Sequence, residues 1–438
     1  MTAIDTTPAA TLARPLTLPA ETLPNRLVKS AMTEGLADPD GQAGERLERL
    51  YAAWARGGAG LLISGNVLVD RHHRERPGNV LLEGPVDGAK LARLRRWTSA
   101  ARSAGAGFWM QVSHAGRQTP SLINPTPRAP SAVPLALPGK RFGTPVALDE
   151  TEIRDLMARF VQAAVTAREA GFTGVQMHAA HGYLISSFLS PRANARTDGW
   201  GGPLEHRARF LRETVQATRR AVGRDFTVSV KLNSADFQKG GFAPHESLQV
   251  AAWLEADGVD VIEISGGSYE QPRMAGLEGL GKPDDSGMPS STAAREAYFL
   301  DFAVQMRARL RVPLLVTGGF RTAQAMARAV REDGVALVGL ARPLVADPDV
   351  PARLLEGAAV VPRWEDLLRA GPGWLGPRSP LLLARAVNGM GAMAWYYTQL
   401  RRMADGLPPD RSLGILRALV AEERAQRASL AADSFPGT

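Results

Sequence analysis

The chain has 438 residues, 45% of them hydrophobic and 22% charged, the balance of a folded globular protein with room for one large domain and an appendage. It contains no cysteine, which excludes disulfides, iron–sulfur clusters, thiolate-held zinc and a thiol nucleophile. The formal net charge of +8 comes mainly from arginine spread along helical stretches. No basic-plus-aromatic module suited to nucleic acid accompanies it, so the charge reads as a solvated surface and no nucleic-acid partner is expected.

The first residues lack a charged segment followed by an apolar core, so no leader is expected and the cytoplasm is the default location. From there, short apolar runs rich in β-formers alternate with amphipathic runs. Strands are predicted at 27–32, 60–64, 108–112, 174–178, 227–232, 259–264, 314–317 and 336–338. Helices are predicted between and after them at 45–56, 88–104, 150–170, 204–221, 244–256, 293–308, 322–331 and 343–355. Strict strand–helix alternation means parallel βαβ units, and eight of each is the count of a closed (β/α)8 TIM barrel. Two connections, 116–148 and 266–292, are too long for plain turns. Both follow strands, so both belong to the C-terminal face of the barrel and are candidate walls of a substrate pocket.

Beyond residue 356 the alternation stops, and two amphipathic helices are predicted at 380–404 and 412–432. The expected organisation is a barrel over 1–355 and a helical extension over 356–438. That extension packs on the barrel or on a second copy, so a homo-oligomer is compatible with it. The apolar run 381–400 is interrupted by Arg385 and Asn388 and makes a poor membrane span; no membrane partner is expected.

Several motifs look meaningful and are set aside. Gly371-Pro372-Gly373-Trp374-Leu375-Gly376 matches a dinucleotide fingerprint in spelling, but it follows no strand and has proline in the turn. The run from Gly276 to Lys282 nearly spells a phosphate-cradling loop, yet Pro283 stands where a magnesium-binding hydroxyl belongs. His72-His73 reads as a solvated loop pair. His178 and His181 could be two metal ligands, but no third ligand stands at a sensible spacing, and no metal is expected.

The informative segment is His178-Ala179-Ala180-His181-Gly182-Tyr183-Leu184, continuing Ser186-Ser187-Phe188-Leu189-Ser190-Pro191 and Asn194-Ala195-Arg196-Thr197-Asp198. His178 falls at the end of the fourth strand. If the residues after it turn helically, His178 and His181 share a face at i, i+3 spacing with Tyr183 nearby. Two imidazole donors can hold one carbonyl oxygen and stabilise the negative charge it gains in a reaction. A tyrosine, with an ordinary pKa of about 10, can deliver a proton as general acid. The same residues could equally be hydrogen-bonded barrel-mouth histidines beside a core tyrosine. Other strand ends add Thr33 after the first, Gln111 on the third, Lys231 on the fifth, Gly318-Gly319 after the seventh and Ala341-Arg342 after the eighth.

Together with the Asn25-Arg26 and Met32-Thr33 start, this set resembles the Old Yellow Enzyme family of NADH:flavin oxidoreductases, from about Leu23 to Pro348. The resemblance implies tightly bound FMN, NAD(P)H as reductant, and reduction of the C=C bond of a small α,β-unsaturated carbonyl compound by ping-pong hydride transfer. It assigns Thr33 to the flavin O4, Gln111 to the pyrimidine edge, and Lys231 to the N1 and O2 region, where a cation favours reduction. Ala31, Met32 and Asn66 join the cofactor contacts, and the backbone of Gly318, Gly319, Ala341 and Arg342 is assigned to the phosphate. His178 and His181 hold the substrate oxygen, and Tyr183 protonates carbon. Many relatives carry arginine at 231 and glycine at 341, and some carry tyrosine at 35; Gly35 therefore implies a more open pocket. Three rivals remain: another flavin reaction on the same barrel, such as demethylation or NADH oxidation; a flavin-free lyase or aldolase using Lys231 as a Schiff base; and a non-catalytic binding protein whose C-terminal helices recruit a partner.

Overall fold

The computed structural model describes residues 7–137, 141–267, 299–377 and 379–432. Eight parallel strands close on one another: β1 Leu27–Lys29, β2 Leu61–Leu68, β3 Gly107–Ser113, β4 Gly174–Ala179, β5 Thr227–Asn233, β6 Val261–Ser265, β7 Leu314–Thr317 and β8 Leu337–Leu340. Closure comes from Leu27 opposite Val338 on one side of β1 and Val28 opposite Leu61 on the other. Every residue of β2 through β6 is buried. That is why these strands read as continuous apolar runs with no alternation: helices cover their outer face and side chains fill the inner one.

The N-terminal end of the barrel is plugged. A two-residue ladder, Leu16–Thr17 against Thr22–Leu23, brings Leu18 and Leu23 against Val28, Leu61, Ile63, Trp109 and Val261 in an interior apolar cluster. Between those strands Glu21 accepts from Trp109 Nε1 at 2.6 Å and from the Thr227 hydroxyl at 2.9 Å. The opposite end, where the strands finish, stays available for chemistry.

Three local features depart from the sequence-based expectation. The second strand runs on to Leu68 because its register shifts between Ile63 and Asn66. Glycine is needed at 65, where a Cβ would lie 2.1 Å from Glu34 Oε2 and 2.5 Å from the Met32 carbonyl. The eighth helix splits into Pro343–Ala346 and Val350–Leu355. Asp347, which precedes Pro348, is forced out of the helical region at φ −153° and ψ 78°. A further helix, Leu184–Leu189, follows β4; all six of its residues are buried, so it carries no polar face for periodicity to reveal. The sixth helix is described from Leu300 to Arg307, and most of the 266–292 connection lies outside the described residues.

Under the barrel wall sits a buried polar knot. Lys29 Nζ, on β1, donates to Tyr51 Oη at 3.1 Å and to the Ile63 carbonyl at 2.8 Å, and lies 3.7 Å from Glu34. Tyr51 donates in turn to Glu34, which also takes the Gly65 N–H at 3.0 Å. The knot thereby fixes the bulge that turns Asn66 toward the barrel mouth. Burial pulls the Lys29 ammonium down from 10.5 to about 8. Between those values the unfolded chain binds a proton that the folded chain does not, so stability is expected to rise as pH rises from 8 to 10.5. Urea unfolding across that window checks this: the rise should be lost in Lys29→Met.

The helices Leu382–Ala404 and Ile415–Ala432 dock on the barrel helix Glu45–Arg56 through Arg46 to Asp405 at 2.8 Å and Arg49 to the Ala404 carbonyl at 2.8 Å. They cross closely at Gly391, where a Cβ would stand 2.9 Å from that of Ile415. Among the described residues no helix is long and apolar enough to cross a membrane.

Candidate active site

Parallel strands carry every residue at their ends to one rim, and here they bring together residues far apart in sequence. Strand register sets Asn66 beside Gln111 and Gln111 beside Gln176, and in the next row His178 beside Lys231 and Lys231 beside Glu263. The polar side chains join across the interior. Gln111 Nε2 donates to Gln176 Oε1 at 2.7 Å, Gln176 Nε2 donates to Glu263 Oε2 at 2.9 Å, and Lys231 Nζ meets Glu263 Oε1 at 3.0 Å. Lys231 is thus one half of an ion pair whose side chains are 6% and 0% exposed. Pattern reading found Gln111 and Lys231 but passed over Gln176 and Glu263. The available signal was a carboxylate inside an otherwise apolar strand, which must have a partner.

His178, His181 and Tyr183 come together, though not by the helical turn expected. His181 adopts φ +63° and Gly182 φ +80°, a left-handed bend that a helix cannot contain. The bend is held by the His181 N–H donating to Asn233 Oδ1 at 3.1 Å and by Gln118 Nε2 donating to the His181 carbonyl at 3.0 Å. The second bond comes from the long 116–148 connection, which therefore does border the site. The His178 ring centre stands 5.0 Å from that of His181 and 4.8 Å from that of Tyr183, edge to face in both cases.

The Ala180 N–H donates to His178 Nδ1 at 3.2 Å, leaving Nε2 as the protonated nitrogen of the neutral ring. His181 Nε2 lies 2.5 Å from the Ser265 hydroxyl at the end of β6. Burial, then the neighbouring His181 and Lys231, hold His178 well below the usual histidine range, and burial with Lys231 lowers His181 to about 3. Both rings are neutral at working pH. Their imidazole NMR resonances are expected not to move between about pH 5 and 8, the range in which an ordinary histidine titrates; a midpoint inside that window would show a charged pair instead.

Thr33, Asn66 and Tyr183 converge on a residue that sequence reading missed. The Thr33 hydroxyl donates to Glu75 Oε1, Asn66 Nδ2 and Asn79 Nδ2 donate to the same oxygen at 2.9 and 3.2 Å, and the Tyr183 hydroxyl donates to Glu75 Oε2. Glu75 comes from the loop after β2, and nothing in its local spacing marks it. The neighbouring Arg76 comes close to Gly35: a Cβ there would lie 2.8 Å from Arg76 Nε.

His73 also departs from expectation. It is buried rather than solvated, with its ring stacked at 4.3 Å on His114. Both rings face Asp70, with which they could in principle group around a metal ion. Their protons argue otherwise: His73 Nε2 accepts from the Arg128 N–H at 2.7 Å and His114 Nδ1 from the Gly116 N–H at 3.1 Å. The remaining nitrogens are then N–H donors turned to Asp70, which Arg159 also approaches at 3.6 Å.

Gly318 and Gly319, after β7, have φ of +107° and +83°, and no atom lies within 4 Å of where a Gly318 Cβ would be. Ala341 and the exposed Arg342 follow the adjacent strand β8. No contact among the described residues ties these four to the histidine–tyrosine cluster. Ala31 and Met32 follow β1 on the same rim. A flavin fits this donor set: an amide and an ammonium inside the rim, a buried Asn66 Oδ1 without a hydrogen-bond partner, and a glycine turn with room for a phosphate beside it.

Fold and donor set together define a flavin-dependent oxidoreductase on a (β/α)8 barrel. The chain belongs to the NADH:flavin oxidoreductase / NADH oxidase family, whose model matches residues 11–360, in keeping with the Old Yellow Enzyme resemblance. FMN is its cofactor and NAD(P)H its reductant. It is 37% identical over 353 residues to the NADH-dependent flavin oxidoreductase iliE of Hypocrea jecorina, covering 76% of this chain and 86% of that one. Among solved structures it is similar to morphinone reductase at 27% identity and TM-score 0.65, covering 82% and 92% of the two chains. It is also similar to the Old Yellow Enzyme homologue of Zymomonas mobilis at 25% identity and TM-score 0.64, covering 84% and 99%.

Proposed function

We propose that the chain reduces the C=C bond of small α,β-unsaturated carbonyl compounds with electrons from NAD(P)H. The observation that carries this reading is the grouping of two neutral imidazoles and one phenol at 5.0 and 4.8 Å on the barrel rim. When bound, FMN would supply the hydride chemistry that links NAD(P)H to the β-carbon of the alkene.

The chain's own residues do the rest. Thr33, Gln111, Lys231 and Asn66, with the backbone of Ala31 and Met32, would hold the ring system. Gly318, Gly319, Ala341 and Arg342 would hold the phosphate. His178 and His181 donate to the substrate oxygen and stabilise the charge that develops there, and neutral donors do this without a competing acid nearby. Tyr183 gives a proton to the α-carbon. Lys231 would offset negative charge at the pyrimidine edge, and Glu263, 3.0 Å away, would fix its place.

Anaerobic turnover of cyclohexenone with NADH tests the reading. One equivalent of cyclohexanone per NADH consumed is expected. NADH consumption that needs oxygen and yields no saturated ketone would favour NADH oxidation. The flavin reading also leaves the Schiff-base lyase without support, since the family's chemistry is redox.

A further inference from the structure

We propose that Glu75 is the positioning residue that governs the proton of Tyr183: its carboxyl group must be protonated for Tyr183 to donate, and it refills the phenol as the phenol discharges. The inference rests on the reading of Tyr183 as the acid in alkene reduction.

Four donors from four places in the chain meet on this one side chain: Thr33 after β1, Asn66 on β2, Asn79 in the loop beyond, and Tyr183 after β4. An ionised carboxylate that accepts the phenol proton holds that proton where it is. Discharging Tyr183 in this state would set a phenolate against a carboxylate, two like charges in hydrogen-bond contact. With Glu75 protonated the conflict disappears. The carboxyl O–H bond breaks as a new O–H forms on the phenol oxygen, while the phenol's own O–H breaks as the C–H at the α-carbon forms. The phenol ends unchanged, the carbon has gained one proton, and Glu75 is left as the carboxylate. Glu75 is only partly buried, so solvent can return its proton.

The loop that carries Glu75 is clamped from outside. The Arg76 guanidinium lies 3.9 Å from the Tyr397 ring centre and meets Glu422 at 3.0 Å, and Arg401 holds Glu422 from the other side at 2.5 Å. All three partners belong to the C-terminal helices, which thus help set where the carboxyl group sits. Among the described residues Tyr183 from the rim and Tyr397 from the Leu382–Ala404 helix face Glu75, and Tyr397 in turn meets Arg76 with its partner Glu422.

The test is rapid mixing of the NADH-reduced holoenzyme with cyclohexenone from about pH 5 to 9, beside flavin reduction by NADH over the same range. In the native chain, reoxidation by the enone is expected to fall by about tenfold per pH unit along an alkaline limb, with no such limb in reduction by NADH. Glu75→Gln should lose the limb; Arg76→Ala should slow reoxidation yet keep it. An infrared titration of the holoenzyme should show a carboxyl C=O band with the same midpoint, missing from Glu75→Gln. A limb that survives in Glu75→Gln, or the absence of that band, overturns the role of Glu75. A Tyr183→Phe chain that reoxidises as fast as the native one overturns the acid reading itself, so the two failures are distinct.

Discussion

Replacing Tyr183 with phenylalanine is expected to slow enone reduction about 10²- to 10⁴-fold, the usual worth of a positioned general acid. Reduction of the enzyme by NADH should change little. The asymmetry follows from what each half of the cycle needs: the carbon skeleton requires a proton, whereas hydride delivery by the nicotinamide does not. Tyr183 is 4% exposed, and its ring stands 4.8 Å from that of His178, so phenylalanine fills the same space and the fold should tolerate it. Stopped-flow measurement of the two half-reactions separates them. Equal slowing of both would mean that the tyrosine shapes the site and gives no proton.

The largest expected effect on stability is at Lys231. Replacing it with methionine leaves Glu263 charged, 0% exposed and bonded only to Gln176. Removing one partner of a buried pair typically costs about 3–5 kcal/mol, because the survivor keeps its desolvation penalty without compensation. The double change Lys231→Met with Glu263→Gln should recover most of that loss, since a neutral amide can still accept from Gln176. Urea unfolding of the three chains gives the comparison. If the single and double variants were equally unstable, the lysine would act by packing and not by charge. If Lys231 faces the pyrimidine edge as proposed, flavin should be held more weakly in both variants, because that cation is gone from each.

The barrel was legible because its grammar is simple: buried parallel strands are apolar throughout, and their helices show one polar face. The rim residues on strands were legible for a related reason, since Gln111, His178 and Lys231 interrupt runs that are otherwise apolar. What could not be read depends on contacts distant in sequence. His181 reaches His178 through a left-handed bend set by Asn233 on β5 and Gln118 in another connection, and its i, i+3 spacing only mimics a helical one. Glu75 reaches Tyr183 from a loop 108 positions away. The Leu184–Leu189 helix is buried on all sides and so has no amphipathic signature. The burial of His73 against His114 is equally invisible to local pattern.

These features give the rim a division of labour. Residues on strands, held by the barrel's own hydrogen bonds, form the floor that suits a cofactor. Under the proposed roles, residues after β4 and in the loop after β2 would form the proton machinery above it. The C-terminal helices reach the loop of the second group through Arg76, and they also approach the far side of the rim, where Tyr396 meets Glu365, the partner of Arg321.

The central claim is that one rim accepts electrons from NAD(P)H and passes them to an activated alkene. The most direct measurement is the visible absorption spectrum of the purified protein under anaerobic conditions, first with NADH and then with cyclohexenone. Oxidised flavin absorbance bleached by NADH and restored in full by the enone is the expected result. Bleaching that the enone leaves untouched and only oxygen reverses would contradict it.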